Sequence, residues 1–377
     1  MTVTVTGINY STGAPYSANA AGDGVGDDTS VLQTALNICG LINLPAGTFR
    51  ITSTLSIPVL TGSGIVGAGS GSTTIKADFT NGTAVRIGTL SASSSDHSTI
   101  RGFKITRVGT ASTDSYGLDV SRGSVLGSES ADHVFVDDIV ATGHYHGIRL
   151  SSTGWSCASN LTAQSNSHDG FFLCGQWQTD NLNASTNGRY GFFVTNALSG
   201  GNSQGQFNGL HTSGNTSHGF YATGKVFDLR MINCTFANDG GDGVAIDLNL
   251  TSGDYINIFH NVSATGVGGA CAWYFGPNSG KQLLTDCTGK DGTYGVYSEC
   301  PHTAIKGGTF SNNVSYGILF TDGKNSVDGI TAATESYGIG ATAAVDKLTV
   351  TNCALTGSVA DLDVSAIGGN FYGYNNT

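Results

Sequence analysis

The sequence predicts an all-β fold, a parallel β-helix of short stacked strands with one helix closing its N-terminal end. Two observations predict the coils, and composition supports them. The first is a recurring phrase, typified by His168-Asp169-Gly170-Phe171-Phe172-Leu173, in which a polar pair leads through glycine into an apolar strand. It returns at Tyr116-Gly117, His146-Gly147, Tyr190-Gly191, His218-Gly219, Asp242-Gly243, Tyr294-Gly295, Tyr316-Gly317 and Tyr337-Gly338. From Gly147 onward the spacings run from 21 to 28 residues, with one of 52 that spans two periods. Ala272-Trp273-Tyr274-Phe275 fills the missing slot. Repeats of this length are the mark of solenoids and related arrays. The second observation is a column of Asn or Asp before an apolar residue or cysteine, at Asp138, Asn160, Asn181, Asn233, Asn261, Asp286 and Asn352, with Gly308 and Gly329 in the same slot. Asn, Asp and Gly tolerate the left-handed conformation that a sharp bend requires.

Composition agrees. Of 377 residues, 56 are glycine and only 11% are charged, which disfavours helices and suits short strands joined by tight turns. A hydrophobic content of 39% supplies a core. The net charge of −11, with 16 basic residues, argues against a nucleic-acid partner but leaves an acidic polysaccharide open, because local cations can still line a groove. Eight cysteines occur without a Cys-x-x-Cys pair or zinc spacing, and several fall in the bend column, so buried thiols are expected. No metal and no cofactor is implied. No apolar run reaches the ~18 residues of a membrane helix, so membrane insertion is not expected.

Taken in order, Met1 to Thr6 alternates like a strand and does not read as a signal peptide. Residues 22–39 carry the helix signal: Asp27 or Asp28 is placed to cap it, and Val31, Leu32, Ala35, Leu36 and Cys39 lie at helical spacing. Short apolar runs follow at 44–57, Ile65-Val66, Thr74-Ile75, Val85 to Ile87 and Ile100 to Ile105, with no helix between them. The organisation expected is a single domain over 1–377, with the terminal strand and capping helix in 1–50 and coils from 51 to 377. In a β-helix of this register Phe171, Leu173, Phe192, Val194, Phe220, Val244 and Ile246 point inward. The longer intervals after Gly117, Gly191 and Gly243 imply loops able to wall a groove.

The opening segment also resembles a known family. Gly22-Asp23-Gly24-Val25-Gly26-Asp27-Asp28-Thr29, Leu32-Gln33-Thr34-Ala35, Leu44-Pro45-Ala46-Gly47-Thr48-Phe49 and Gly67-Ala68-Gly69 before Thr73-Thr74-Ile75 are similar to the start of pectate-lyase-like right-handed β-helix proteins. Within that family the chain most resembles bacteriophage tailspikes that bind or cut bacterial surface polysaccharides. The resemblance implies a homotrimer, a polysaccharide ligand from capsule or O-antigen, and a place outside the host cell on the virion tail.

Stacking turns the repeat into columns of side chains. The position before the glycine and the one preceding it bring His168, Asp169, Arg189, Tyr190 and His218 within one or two rungs, about 5–10 Å. Such a set holds the groups needed for acid–base work on a sugar, although a polar ladder can equally stabilise the coil. Asp169 and Asp242 are three coils apart, roughly 14 Å. Asp247 and Glu299 share the fourth position after the glycine, about 10 Å apart, marginally suited to an inverting glycosidase. A lyase instead needs a base, an acid and a cation that neutralises a uronate. Tyr190, His168 or His218, and Arg189 offer those roles. Two residues past the glycine, Arg149, Phe172, Phe193, Tyr221, Tyr274 and Tyr297 form an outward, largely aromatic stripe, suited to stacking on sugar rings or to a subunit contact. The functions this supports are a tailspike-like depolymerase acting by hydrolysis or β-elimination, a non-catalytic glycan-binding spike, and a secreted monomeric lyase or epimerase.

Overall fold

The structure is a computed structural model that describes residues 2–58, 60–87, 97–121, 133–195, 204–248, 255–333, 335–364, 367 and 371–374. The loops expected after Gly117, Gly191 and Gly243 fall on 122–132, 196–203 and 249–254, outside the described residues. By internal contacts the chain divides into two units, residues 1–189 with 197–201, and residues 190–196 with 202–377.

The fold is a parallel β-helix with an N-terminal helix. In the first unit three stacks of parallel strands run through the coils. One carries Ile42, Ile65, Ile100, Val136, Ala158 and Thr179 in register. A second carries Phe49, Ile75, Ile105, Ala141, Ala163 and Ala184. The third carries Leu55, Val85, Leu118, Ile148 and Phe171. All these residues are buried, so each rung places its inward side chain directly on the one below. Helix α1 (Thr29–Cys39) buries Leu32, Ala35, Leu36 and Cys39 against the terminal strands Val3–Ile8 and Pro15–Ala20 and the first coil strands. Those two terminal strands are antiparallel to each other.

The second unit repeats the plan. Phe192, Phe220, Val244, Trp273, Val296, Ile318, Ile339 and Leu362 form one inner column. Phe207, Met231, Phe259, Leu284, Ile305, Val327 and Val350 form another. Trp273 takes its expected rung between Val244 and Val296, which puts Ala272 in the glycine slot.

The repeat glycines are explained by proximity, not by unusual torsions. A Cβ on Gly147 would lie 2.6 Å from the Gly170 carbonyl oxygen, and one on Gly295 2.4 Å from that of Gly317. The bend column has the predicted left-handed conformation, with φ of 52° at Asp138, 55° at Asn181 and 53° at Asn352.

Several details depart from the sequence reading. Coil strands are already present at Leu41–Leu44 and Gly47–Ile51, ahead of residue 51. Asp28 holds the N-cap position, but its carboxylate accepts the N–H groups of Ala21 and Gly22, while Asp27 accepts that of Thr29. The bend slot belongs to Gly307, not Gly308: Gly307 N–H donates to Asp328 O as Asp286 N–H donates to Lys306 O. All eight cysteines are free, and all but Cys157 are buried.

Candidate functional site

Three neighbouring columns of the first unit converge on a pocket of about 520 Å³. Its floor is the position two past the repeat glycine, where Asp119 pairs in register with Arg86 on one side and Arg149 on the other, and Arg149 pairs with Phe172. The column before the glycine adds Tyr116 and His146, with Asp169 buried behind the lining; the next adds Tyr145, His168 and Arg189.

Asp169 organises the polar side. Fully buried, it takes a forked pair of hydrogen bonds from Arg189, Nε at 2.7 Å and Nη2 at 2.6 Å. His168 Nδ1 lies 3.3 Å and His146 Nδ1 3.1 Å from its Oδ2. Burial would raise this carboxyl, but the two imidazoles and the guanidinium outweigh burial and hold it well below the usual carboxylate range. Asp169 therefore orients its neighbours and does not itself donate a proton. His168 is a quarter exposed, stacks on Tyr145 with ring centroids 4.7 Å apart, and carries its Asp169 contact through Nδ1. Burial pushes the His146 imidazole down, against the pull of Asp169, so it stays neutral to lower pH than an ordinary histidine.

Tyr116 stacks on His146 at 4.8 Å, and burial pushes its phenol up to about 12. Arg149 lies over the rings of Tyr116 and Phe172, at 5.4 and 5.7 Å. Its nearest carboxylate contact, Nε to Asp119 Oδ1, is 3.8 Å. Asp119 is closer to Arg86, at 3.3 Å, and also accepts a hydrogen bond from Ser121. Arg149 is only 6% exposed, its Nε has no hydrogen-bond partner, and no described residue accepts a hydrogen bond from it. A buried guanidinium in this state is ready for an anion. His146, His168 and Asp169 also offer three metal-ligand atoms within 4.8 Å of one another, but Arg189 already occupies both oxygens of Asp169.

The residues expected to form one cluster fall into two units. His168, Asp169 and Arg189 meet in the first. Tyr190 and His218 belong to the second, where their rings stack at 5.5 Å and join Phe193 and Tyr221. There Asp242 accepts the Cys271 N–H at 2.8 Å, and its own N–H donates to His218 Nδ1 at 2.9 Å. Burial pushes the Asp242 carboxyl up and the His218 imidazole down.

Further along, Asp247 and Glu299 stand two rungs apart with Gly276 between them; a Cβ on Gly276 would lie 2.7 Å from Asp247 Oδ1. Tyr274 and Tyr297 stack at 6.0 Å, and each donates its hydroxyl to Glu299 at 3.1 Å. The outward stripe holds only in part. Phe193, Tyr221, Tyr274 and Tyr297 are half-buried, but Arg149 and Phe172 are more than nine-tenths buried, because Tyr116 and His146 cover them.

No protein-family model matches the sequence, and no curated protein matches it. Solved structures do match. The A-module of the Azotobacter vinelandii mannuronan C-5 epimerase AlgE6 aligns over 95% of this chain and 97% of its own, at 17% identity and a TM-score of 0.65. The catalytic unit of the GH87 α-1,3-glucanase of Streptomyces thermodiastaticus aligns over 95% of this chain and 67% of its own, at 16% identity and a TM-score of 0.55. Pre-mature bacteriophage phi29 gene product 12 aligns over 89% of this chain and 51% of its own, at 15% identity and a TM-score of 0.63. The chain has their fold. At these identities the likeness stops at the fold, and the site must be argued from its own residues.

Sequence reasoning missed Arg86 and Asp119 as site residues, and did not assign Tyr116, Tyr145 or His146 although they occupy its columns. Asp119 was detectable, since it sits two past Gly117 in the same column as Arg149.

Proposed function

We propose that the chain binds a bacterial surface polysaccharide in the manner of a tailspike and breaks it by β-elimination at a uronate unit held in the first unit's pocket. The observation that carries this reading is Arg149, a buried guanidinium without a hydrogen bond beside two imidazoles and a protonated phenol. In the reaction the uronate carboxylate pairs with Arg149, which stabilises the negative charge that develops when the C5 proton leaves. His168 takes that proton, and Asp169 stabilises the imidazolium formed. The C4–O bond breaks as the C4=C5 double bond forms, and Tyr116 gives its proton to the departing oxygen. The neighbours named as an epimerase and a glucanase support glycan chemistry on this fold. Return of the proton to the opposite face of C5, without elimination, is the epimerase variant of the same site.

A second reading has one observation in its favour. Two tyrosine hydroxyls hold Glu299 beside Asp247, the pair that an inverting hydrolase would use. Under either reading the protein acts as a homotrimer on the virion, and sedimentation would then return three times the chain mass.

The test is incubation with capsular and O-antigen polysaccharides, following chain length and the absorbance of unsaturated uronate together. Shortening with new absorbance is expected. Arg149→Gln should lose activity on the order of 10²-fold while melting no lower than wild type, because it removes a buried charge that no hydrogen bond compensates. Shortening without absorbance moves the chemistry to Asp247 and Glu299. Binding without shortening leaves a receptor-binding spike.

A further inference from the structure

We infer that a row of three lysines and a histidine in the second unit is a docking track for an acidic polysaccharide. The row is Lys281, His302, Lys324 and Lys347, which share one register position on four successive coils. Parallel in-register strands present such residues on one face, about 4.8 Å apart, so the row extends roughly 14 Å along the stacking direction. Lys281 and His302 are half-buried, and Lys324 and Lys347 are exposed.

The arrangement runs against the ordinary logic of a sheet. Like charges directly opposite on neighbouring strands destabilise it. This chain has 27 acidic residues and 16 basic ones, yet it places three of its eight lysines in one uninterrupted column. In the first unit a charged column two past the repeat glycine, Arg86, Asp119, Arg149, alternates in sign. The second unit's row does not alternate. Among the described residues no ion pair joins His302, Lys324 or Lys347 to a carboxylate; Lys347 instead lies 5.0 Å over the ring of Tyr372. The row borders an open groove of about 450 Å³, which Gln282, Thr303 and Ser326 also line.

A column of basic side chains, in which no described carboxylate pairs with Lys324 or Lys347, suits a polyanion that runs the same way along the coils. An extended chain of pyranoses advances by nearly one rung per sugar, so a polyuronate lying along the row keeps carboxylates within reach of its lysines. A nucleic-acid duplex is a poor match, since its two phosphate strands need a broad basic face and this row is one residue wide. The inference rests on the reading that the ligand is an acidic polysaccharide. It adds a second site, separate from the pocket residues, that holds the polymer.

The test uses a defined oligogalacturonate and a neutral oligoglucan of equal length, titrated calorimetrically into the full chain carrying His168→Ala so that nothing is cleaved. Expected is binding of the oligogalacturonate alone, weakened by added salt, and lost at least tenfold when Lys324→Gln and Lys347→Gln are added. Both positions are exposed, so a circular dichroism spectrum matching the parent is expected to confirm folding. The inference is overturned if the double lysine change leaves affinity intact, if the neutral glycan binds equally, or if no oligogalacturonate binds. It is also overturned if a single-stranded oligonucleotide binds as tightly and displaces the sugar. Failure of the elimination reading looks different: the chain with native His168 yields no unsaturated product while lysine-dependent binding persists.

Discussion

Arg149 is the residue whose surroundings make least sense without a ligand. Withdrawing a guanidinium from water costs several kcal/mol unless hydrogen bonds and charge repay it. Among the described residues, two aromatic faces and a carboxylate at 3.8 Å are its compensation. Glu335 poses the complementary case in the second unit. It is fully buried, its Oε1 accepts a long 3.4 Å bond from Asn313, and its Oε2 has no partner. Burial raises its carboxyl to about 7. The fold therefore favours the protonated form. Its stabilising contribution is complete below the ordinary carboxylate value of about 4.3 and is lost as pH rises through about 7. Glu335→Gln keeps the neutral form at every pH. Melting curves should nearly coincide for the two proteins below about pH 4, separate progressively as pH rises to about 7 with the variant the more stable, and stay apart above it. The gap is a few kcal/mol at most, on about 1.4 kcal/mol per pKa unit. A constant difference across pH would remove Glu335 as the source.

At the scale of the coil, the bends carry the fold's specificity. Asn181 has φ of 55°, and its amide donates to Asn160 Oδ1 on the preceding coil at 2.8 Å. Asn181→Ala puts a Cβ-bearing residue without side-chain compensation into the left-handed region, at about 1–2 kcal/mol, and also loses the ladder bond. Asn181→Gly loses only the bond, about 0.5–1.5 kcal/mol. Urea unfolding should therefore rank wild type, Gly variant, Ala variant in descending stability; the reverse order for the two variants would show that the torsion is not the constraint.

This column was legible in the sequence because only Asn, Asp and Gly recur there. A second bend column was not legible: Ser165 and Thr186 take φ of 53° and 52° alongside Asn238 and Asn312, and serine or threonine gives no warning of that conformation. A buried ladder four residues before the repeat glycine, Asn166 to Asn187 and Asn215 to Asp239, also passed unread. The pocket was half legible for a related reason. His168, Asp169 and Arg189 share the regular repeat, whereas Arg86 precedes it. Simple in–out alternation also places Arg149 and Phe172 in solvent, when rings from adjacent columns in fact cover them.

On the scale of the molecule, the question is why a chain of net charge −11 gathers cations in two places, the arginines of the first unit's pocket and the lysine row of the second. General acidity keeps polyanions off most of the surface, so two local cationic sites select both where and how an acidic polymer engages. This division of labour separates holding from cutting, and the two fail differently. His168→Ala should abolish unsaturated product, a loss of about 10²–10⁴-fold, on long polymer and short oligomer alike. The paired Lys324→Gln and Lys347→Gln changes should raise KM for long polymer and leave kcat on a short oligomer unchanged, because neither lysine belongs to the pocket. Glu299→Gln should leave the unsaturated product unaffected. If Glu299→Gln stops chain shortening and His168→Ala does not, the chemistry belongs to the tyrosine-held carboxylate of the second unit, and the first unit's pocket becomes a binding site for an acidic sugar.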